Sequence, residues 1–295
     1  MPAYSNGLEL LMMNVVVCIK QIEQTYARTG MDPAYHFLTP EDHILRVNPY
    51  DEAALEIALK IKEHVPETRI ILVTVGKIIA EAELKRCLAL GGEAIFQIDT
   101  TETLDSQAKA KLLAAAAAQL RADLILCGKE SMDRQNGQVG AFMARHLECP
   151  FISAIVDLEY FAEDHCVKAT RICGRGVREK IQCRLPAVLS ADMGAFAYRV
   201  PKYADIEKAN AAPIQPAIGL SEPFETMLSV SKIMPPLPRT KKTLAPDSRL
   251  PASQRIQQLL TGSKIEKKGQ ILEGNSEVLV EGIISYLSEH GFIEA

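Results

Sequence analysis

The segment with the most evident chemistry runs Asp123-Leu-Ile-Leu-Cys-Gly-Lys-Glu-Ser-Met-Asp-Arg-Gln-Asn-Gly-Gln-Val-Gly140. An apolar stretch, Leu124 to Cys127, enters a loop of glycines and polar residues, and a helical pattern opens at Gln138 and continues to Leu147. Gly128, Gly137 and Gly140 would let a ligand approach the backbone, and the free N–H groups and dipole of a helix N-terminus suit a phosphate. The spacing matches neither a Walker loop nor the dinucleotide fingerprint G-x-G-x-x-G. On pattern alone the segment reads equally as an anion cradle or as a strand-to-helix turn that binds nothing. A second element is Asn48-Pro49-Tyr50-Asp51, just ahead of a helical stretch. Asn and Asp are N-capping types, so the turn reads first as a helix start; in a binding reading its N–H groups would meet an adenosine or its phosphate. Lys20 is a phosphate partner or, by default, a solvated lysine, and the glycine after Val75 reads as a turn.

Groups that would catalyse are not arranged to do so. The six histidines, at 36, 43, 64, 146, 165 and 290, show no H-x-x-x-H or H-E-x-x-H spacing, and no G-x-S-x-G elbow is present. Seven cysteines, at 18, 87, 127, 149, 166, 173 and 183, form no C-x-x-C pair and read as reduced thiols of a cytoplasmic protein. A nucleotide-sized crevice without acid, base or nucleophile points to a carrier whose cofactor does the redox chemistry.

The loops must be held by the elements around them. Val15–Ile19, Ile70–Val75, Ala94–Ile98 and Leu124–Cys127 are short apolar runs typical of parallel strands covered on both faces. Helical periodicity over Asp51–His64, Ile79–Leu90 and Ser106–Leu120 fills the gaps, with Glu52 and Glu56 turned off the apolar face of the first helix. The alternation predicts an α/β fold with a doubly wound, mostly parallel sheet. Ser153–Tyr160, Cys166–Ile172, Val177–Arg184 and Ala187–Asp192 read as consecutive strands, hence an antiparallel addition. From Asn210 onward eight prolines predict an extended, poorly helical arm that ends in an amphipathic helix over Ser276–His290. The expected organisation is an overhang over 1–13, a nucleotide-binding domain over 14–214 and an arm over 215–295, with Met12-Met13 read as a natural translation start.

At 295 residues the chain has room for about two domains of ~150 residues. With 47% hydrophobic and 24% charged residues it is an ordinary globular composition. A net charge of −4 disfavours nucleic acid, and apolar runs no longer than Leu112–Ala118 disfavour membrane insertion.

Five blocks in order resemble the beta subunits of electron-transfer flavoproteins, of the adenine nucleotide alpha hydrolase-like superfamily. They are Val16-Val-Cys-Ile-Lys-Gln21, Asn48-Pro-Tyr-Asp-Glu-Ala-Ala-Leu55, Lys85-Arg-Cys-Leu-Ala-Leu-Gly91, Asp123 through Gly140 with Leu147-Glu-Cys-Pro150, and Leu185-Pro-Ala-Val-Leu-Ser-Ala-Asp192. The resemblance implies a heterodimer whose alpha subunit holds most of the redox-active FAD. It also implies AMP, or in electron-bifurcating members a second FAD, in this subunit, and electron traffic with a flavin dehydrogenase of the acyl-CoA dehydrogenase type. Carried over by position, the nucleotide contacts would be Cys18, Asn48, Pro49, Tyr50, Asp51, Val75, Gly128, Lys129, Glu130, Ser131, Met132, Asp133, Gly137, Gln138, Val139 and Gly140. The family's partner-docking loop falls on Met193–Ala209, which assigns docking to Arg199, Tyr203 and Lys208. Here Tyr198-Arg199 replaces a Pro-Arg pair and Tyr203 takes the place of a protruding aliphatic residue. Gln138-Val139-Gly140 resembles bifurcating members, whereas Arg134-Gln135 and Asn136-Gly137 depart from them, so AMP and a second FAD both stay open. A free-standing nucleotide-binding protein of the same superfamily is the alternative, but it would need a phosphate loop ending in Gly-Ser or Gly-Thr where this chain has Val139-Gly140-Ala141.

Overall fold

The computed structural model describes residues 13–24, 44–100, 104–194, 199–217, 226–229, 231, 249–261, 273–289 and 292–293. The chain divides into two units, Met1–Pro236 and Leu237–Ala295. The first unit opens with β1 (Asn14–Cys18), β2 (Gln21–Gln24), β3 (Ile44–Val47) and α1 (Pro49–His64). It continues through β4 (Arg69–Val75), α2 (Glu81–Ala89), β5 (Ala94–Ile98), α3 (Ser106–Gln119), β6 (Leu124–Gly128) and α4 (Val139–Leu147). Its last elements are β7 (Phe151–Phe161), β8 (Cys166–Ile172), β9 (Arg178–Arg184), β10 (Ala187–Ala191), α5 (Tyr203–Ala211) and β11 (Ile214–Pro216).

Nine strands form one sheet in the order β11-β5-β4-β1-β6-β10-β7-β8-β9, and β2 pairs with β3 in a small antiparallel ribbon. The strands from β11 to β7 are parallel to their neighbours, and β8 and β9 run antiparallel. Alternation along β1 sends Val15 and Val17 into a core shared with α1 and α2, and Val16 and Cys18 into a second core shared with α3 and α4. Layers on both faces with right-handed crossovers are what a run of apolar strands demands.

Two expectations are corrected. Residues 187–192 were expected in the antiparallel addition; instead β10 returns to the centre, parallel to both β6 and β7. All five of its residues are buried, as a strand covered on both faces requires, whereas β9 alternates and stands at the edge. Glu52 and Glu56 do face away from the core, yet both are largely buried, because Arg86 and Arg46 cover the first and Arg199 the second. The stretch after Asn210 is not uniformly extended: β11 adds to the sheet edge with Pro216 in a position an edge tolerates, and a helix follows Pro251. Proline directly before a first helical turn is compatible with helix, and no proline interrupts the turns beyond it.

In the second unit the described elements are α6 (Ala252–Thr261) and α7 (Ser276–Glu289). α7 matches its periodicity, with Asn275 accepting the Val278 N–H at 3.0 Å as its cap. None of its residues is buried.

Candidate functional site

In a doubly wound sheet the ligand crevice lies beyond the carboxyl ends of the strands, where the strand order reverses. Here that point is the β1–β6 pair, flanked by β4 on one side and β10 on the other. The first turn of α1 fastens the two strand ends together. Asp51, buried, accepts the Lys20 N–H at 2.7 Å through one carboxylate oxygen and the Gly128 N–H at 2.8 Å through the other. Gly128 must be glycine for this closure, since a Cβ there would collide with Asp51 Oδ1 and with Tyr50.

Asn48, 1% exposed, occupies the N-cap position of α1 without using its side chain as a cap. Its amide instead donates to the Glu130 carbonyl at 2.9 Å and accepts the Met132 N–H at 3.2 Å. Its own N–H donates to the Lys20 carbonyl at 2.9 Å. Tyr50 adds an O–H bond to Glu130 at 3.0 Å. The turn that sequence offers either as a cap or as a ligand contact is thus also the clamp that shapes the loop after β6.

That loop then turns back on itself. Gln135 (φ 51°) and Gly137 (φ 62°) adopt left-handed backbone, and the Gln135 N–H donates to the Ser131 carbonyl at 2.8 Å. Lys20 holds it from β1, donating to Ser131 Oγ at 3.0 Å and pairing with Asp133 at 2.5 Å. Asn136 ties it to α3 through Ser106 Oγ at 3.1 Å. Between the loop and the strand ends lies a cleft of about 850 Å³ counted out to its solvent mouth.

Cys18, Asn48, Asp51, Val75, Gly128 to Ser131 and Gly137 to Val139 are brought together as its lining. Pro49, Tyr50, Met132, Asp133 and Gly140 are not part of the lining; of these, Tyr50 and Asp133 bond the lining residues Glu130 and Lys20. A Cβ on Gly140 would stand 2.9 Å from both Cys127 Sγ and Phe151 Cε2, so that glycine serves the packing of α4 on the sheet. Burial pushes the Cys18 and Cys127 thiols well above their usual range, so neither is a ready thiolate nucleophile.

Sequence reasoning missed the α3 wall, Ser106, Lys109 and Leu113. The signal was present as a spacing of three and four that puts Ser106, Lys109 and Leu113 on one helical face. It was hidden by an alanine-rich helix that reads as plain scaffold.

Of the docking residues, Arg199 is committed within the chain: its guanidinium holds Glu56 at 2.8 Å and Glu63 at 2.5 Å, both on α1. Those carboxylates push its already high pKa higher still. Tyr203, the first residue of α5, is 75% exposed and Val200 is 89% exposed; Lys208 also faces solvent, near Asp205. Tyr198 lies outside the described residues. Among the described residues no helix is long and apolar enough to cross a membrane.

Residues 39–217 match the sequence model of the electron transfer flavoprotein domain. The chain is 26% identical over 221 residues to the electron transfer flavoprotein subunit beta of Methylophilus methylotrophus, covering 71% of this chain and 82% of that protein. It is 31% identical over 181 residues to the caffeyl-CoA reductase-Etf complex subunit CarD of Acetobacterium woodii, covering 60% and 68%. It is 27% identical over 248 residues to protein FixA of Azotobacter vinelandii, covering 78% and 86%.

Proposed function

The chain belongs to the electron transfer flavoprotein family as a beta subunit, and from that premise we propose that it pairs with an alpha subunit to carry electrons between a flavin dehydrogenase and other redox partners while holding an adenine nucleotide in the β1–β6 cleft. The observation that carries the nucleotide assignment is the clamped loop. Asp51 and Asn48 fix Gly128 to Met132 so that a polar wall and the start of α4 face a cleft with an apolar floor, which includes Val73, Val75 and Leu113. Such a floor suits a purine, and the polar wall with the lysines at 20 and 109 suits its phosphate. The residues present therefore fit the adenosine phosphate shared by AMP and FAD.

When bound, FAD supplies the electron-accepting chemistry; this chain's own groups bind, orient and cover it. Protonated buried thiols and an α1 carboxylate already occupied by two backbone N–H groups serve to hold structure and not to attack a ligand. A dehydrogenase acting on CoA thioesters is the favoured electron partner, in line with the relative named as part of a caffeyl-CoA reductase complex. The decisive measurement is purification with the alpha partner followed by release and identification of nucleotides by mass and absorbance. One FAD with one AMP per heterodimer makes the protein a simple carrier, and two FAD make it a bifurcating one. A heterodimer free of adenine nucleotide in this subunit would sink the assignment.

The dehydrogenase is proposed to dock at the start of α5. Arg199 braces that segment against α1, and the exposed Tyr203 offers a rigid surface of the kind that dominates interfaces. Tyr203→Ala should leave thermal stability and flavin content unchanged and slow electron transfer with the protein partner roughly tenfold, the cost of losing an interface anchor. The rate with a small dye acceptor should not change. Equal rates with the protein partner would remove Tyr203 from the interface.

A further inference from the structure

The cleft contains cations that its own carboxylates do not pair. Each acidic group around it already has a partner. Asp133 pairs with Lys20 at 2.5 Å and Asp192 with Lys129 at 3.1 Å. Glu130 accepts the Tyr50 hydroxyl, and Asp51 accepts two backbone N–H groups. Asp105, one turn before Lys109 on α3, is fully used as a cap: one oxygen accepts the Ala108 N–H at 2.7 Å and the other the Met227 N–H at 3.0 Å.

The cations do not all share in this. Lys109 is half-buried in the cleft wall, and among the described residues its ammonium has neither a hydrogen-bond nor an ion-pair partner. The Arg134 guanidinium lines the same cleft and likewise lacks one. A half-desolvated, unpaired ammonium beside a second unpaired cation is costly unless an anion completes it.

Resting on the nucleotide reading above, we propose that Lys109 and Arg134 form the charge-selecting end of the cleft and hold a phosphate carrying two negative charges. That chemistry is common to the phosphomonoester of AMP and the diphosphate bridge of FAD. It excludes an uncharged nucleoside as the natural occupant. Two lone cations match two negative charges, and the guanidinium adds a planar donor fork suited to phosphate oxygens.

Binding should then be linked to protons. Burial, with the charges of Arg134 from the loop and Lys20 from the end of β1, draws the Lys109 ammonium down to about 8, against the opposing pull of Asp133 and Asp105. A bound phosphate reverses that balance and raises Lys109 again. Near pH 8 Lys109 therefore takes up a proton as the ligand binds, and affinity declines as pH rises through that value.

The experiment is calorimetric titration of the full chain, purified with its partner subunit and stripped of nucleotide, with adenosine, AMP and FAD at pH 7, pH 8 and pH 9, the pH 8 titrations repeated in buffers of different ionisation enthalpy to count protons. Lys109→Gln is expected to weaken AMP or FAD at least tenfold at pH 7 while leaving adenosine within twofold, and not to lower the melting temperature of the stripped protein. Lys109→Arg is expected to restore the pH 7 affinity and to abolish the loss at pH 9 and the proton uptake at pH 8, since arginine does not titrate there. The AMP and FAD arms separate the two sources of the phosphate, because Lys109→Gln lowers the affinity of the ligand whose phosphate it meets. Unchanged AMP and FAD binding in Lys109→Gln would overturn the role of Lys109 with the adenine site intact. Failure of the wild type to bind all three ligands would overturn the adenine reading beneath it as well.

Discussion

Gly128→Val should be among the most damaging single substitutions in the first unit, costing about 2.5–6 kcal/mol of stability, the sum of overpacking (~1–3) and of a lost charge-assisted hydrogen bond (~1.5–3). The backbone of Gly128 needs no special dihedral; what it needs is the missing Cβ. Asp51 Oδ1 and the backbone and Cβ of Tyr50 occupy the space a side chain would fill. A valine must therefore push the first turn of α1 away from β6, which breaks the Asp51 bond to the Gly128 N–H and frees the loop that Asn48 holds. Domain stabilities are only about 5–15 kcal/mol, so a loss of this size leaves a substantial unfolded fraction. Gly137→Ala is the contrast. A Cβ there would stand 3.5 Å from the Lys129 carbonyl, an ordinary contact, and the positive φ costs only on the order of 1–2 kcal/mol. The chain has no tryptophan, so urea unfolding followed by circular dichroism is the suitable readout. Equal midpoints for Gly128→Val and the wild type would mean that α1 does not close on β6 as described.

The same closure explains what could and could not be read from the sequence. Parallel strands betray themselves by continuous apolar runs, so β1, β4, β5 and β6 were legible to within a residue or so at each end. β10 carried the same signal in Ala187-Val-Leu-Ser-Ala191, but its place next to β6 is a pairing across 63 residues, which no local pattern encodes. The loop after β6 was legible as a place for a ligand because glycine and polar residues there followed a buried strand. The role of Asn48 was not, since a side chain that bonds a loop 82 residues away looks identical in sequence to one that caps its own helix. Lys109 was hidden for a related reason. An α3 lysine among alanines reads as a solvated residue, and only the fold shows that its helix forms a wall of the cleft.

Asp51→Asn should be nearly as costly as the glycine change, and it should also alter how stability depends on pH. The carboxylate offers an acceptor to each of two backbone donors, Lys20 and Gly128. An amide offers one acceptor and sets an NH2 against the other donor, and each buried donor left without a partner costs about 1–3 kcal/mol. Burial raises the Asp51 carboxyl from 3.8 to about 7, against the N–H bonds from Lys20 and Gly128, the Asn48 side chain and the charge of Lys20, all of which favour the ionised form. In the unfolded chain the proton leaves near 3.8, so between about pH 4 and pH 7 the folded protein binds the extra proton. Stability from this group is fully present below pH 4 and falls as pH rises, by up to ~1.4 kcal/mol per unit, until it levels above pH 7. The exposed carboxylates of Glu63, Glu93 and Glu179, lowered by their arginine partners, act in the opposite sense and at lower pH. A difference of differences removes their contribution: urea stability at pH 5 minus that at pH 7.5, compared between wild type and Asp51→Asn. The wild type is expected to lose more stability over that interval than the variant does. An identical loss in both proteins would show that Asp51 is already ionised at pH 5, held so by its two N–H donors.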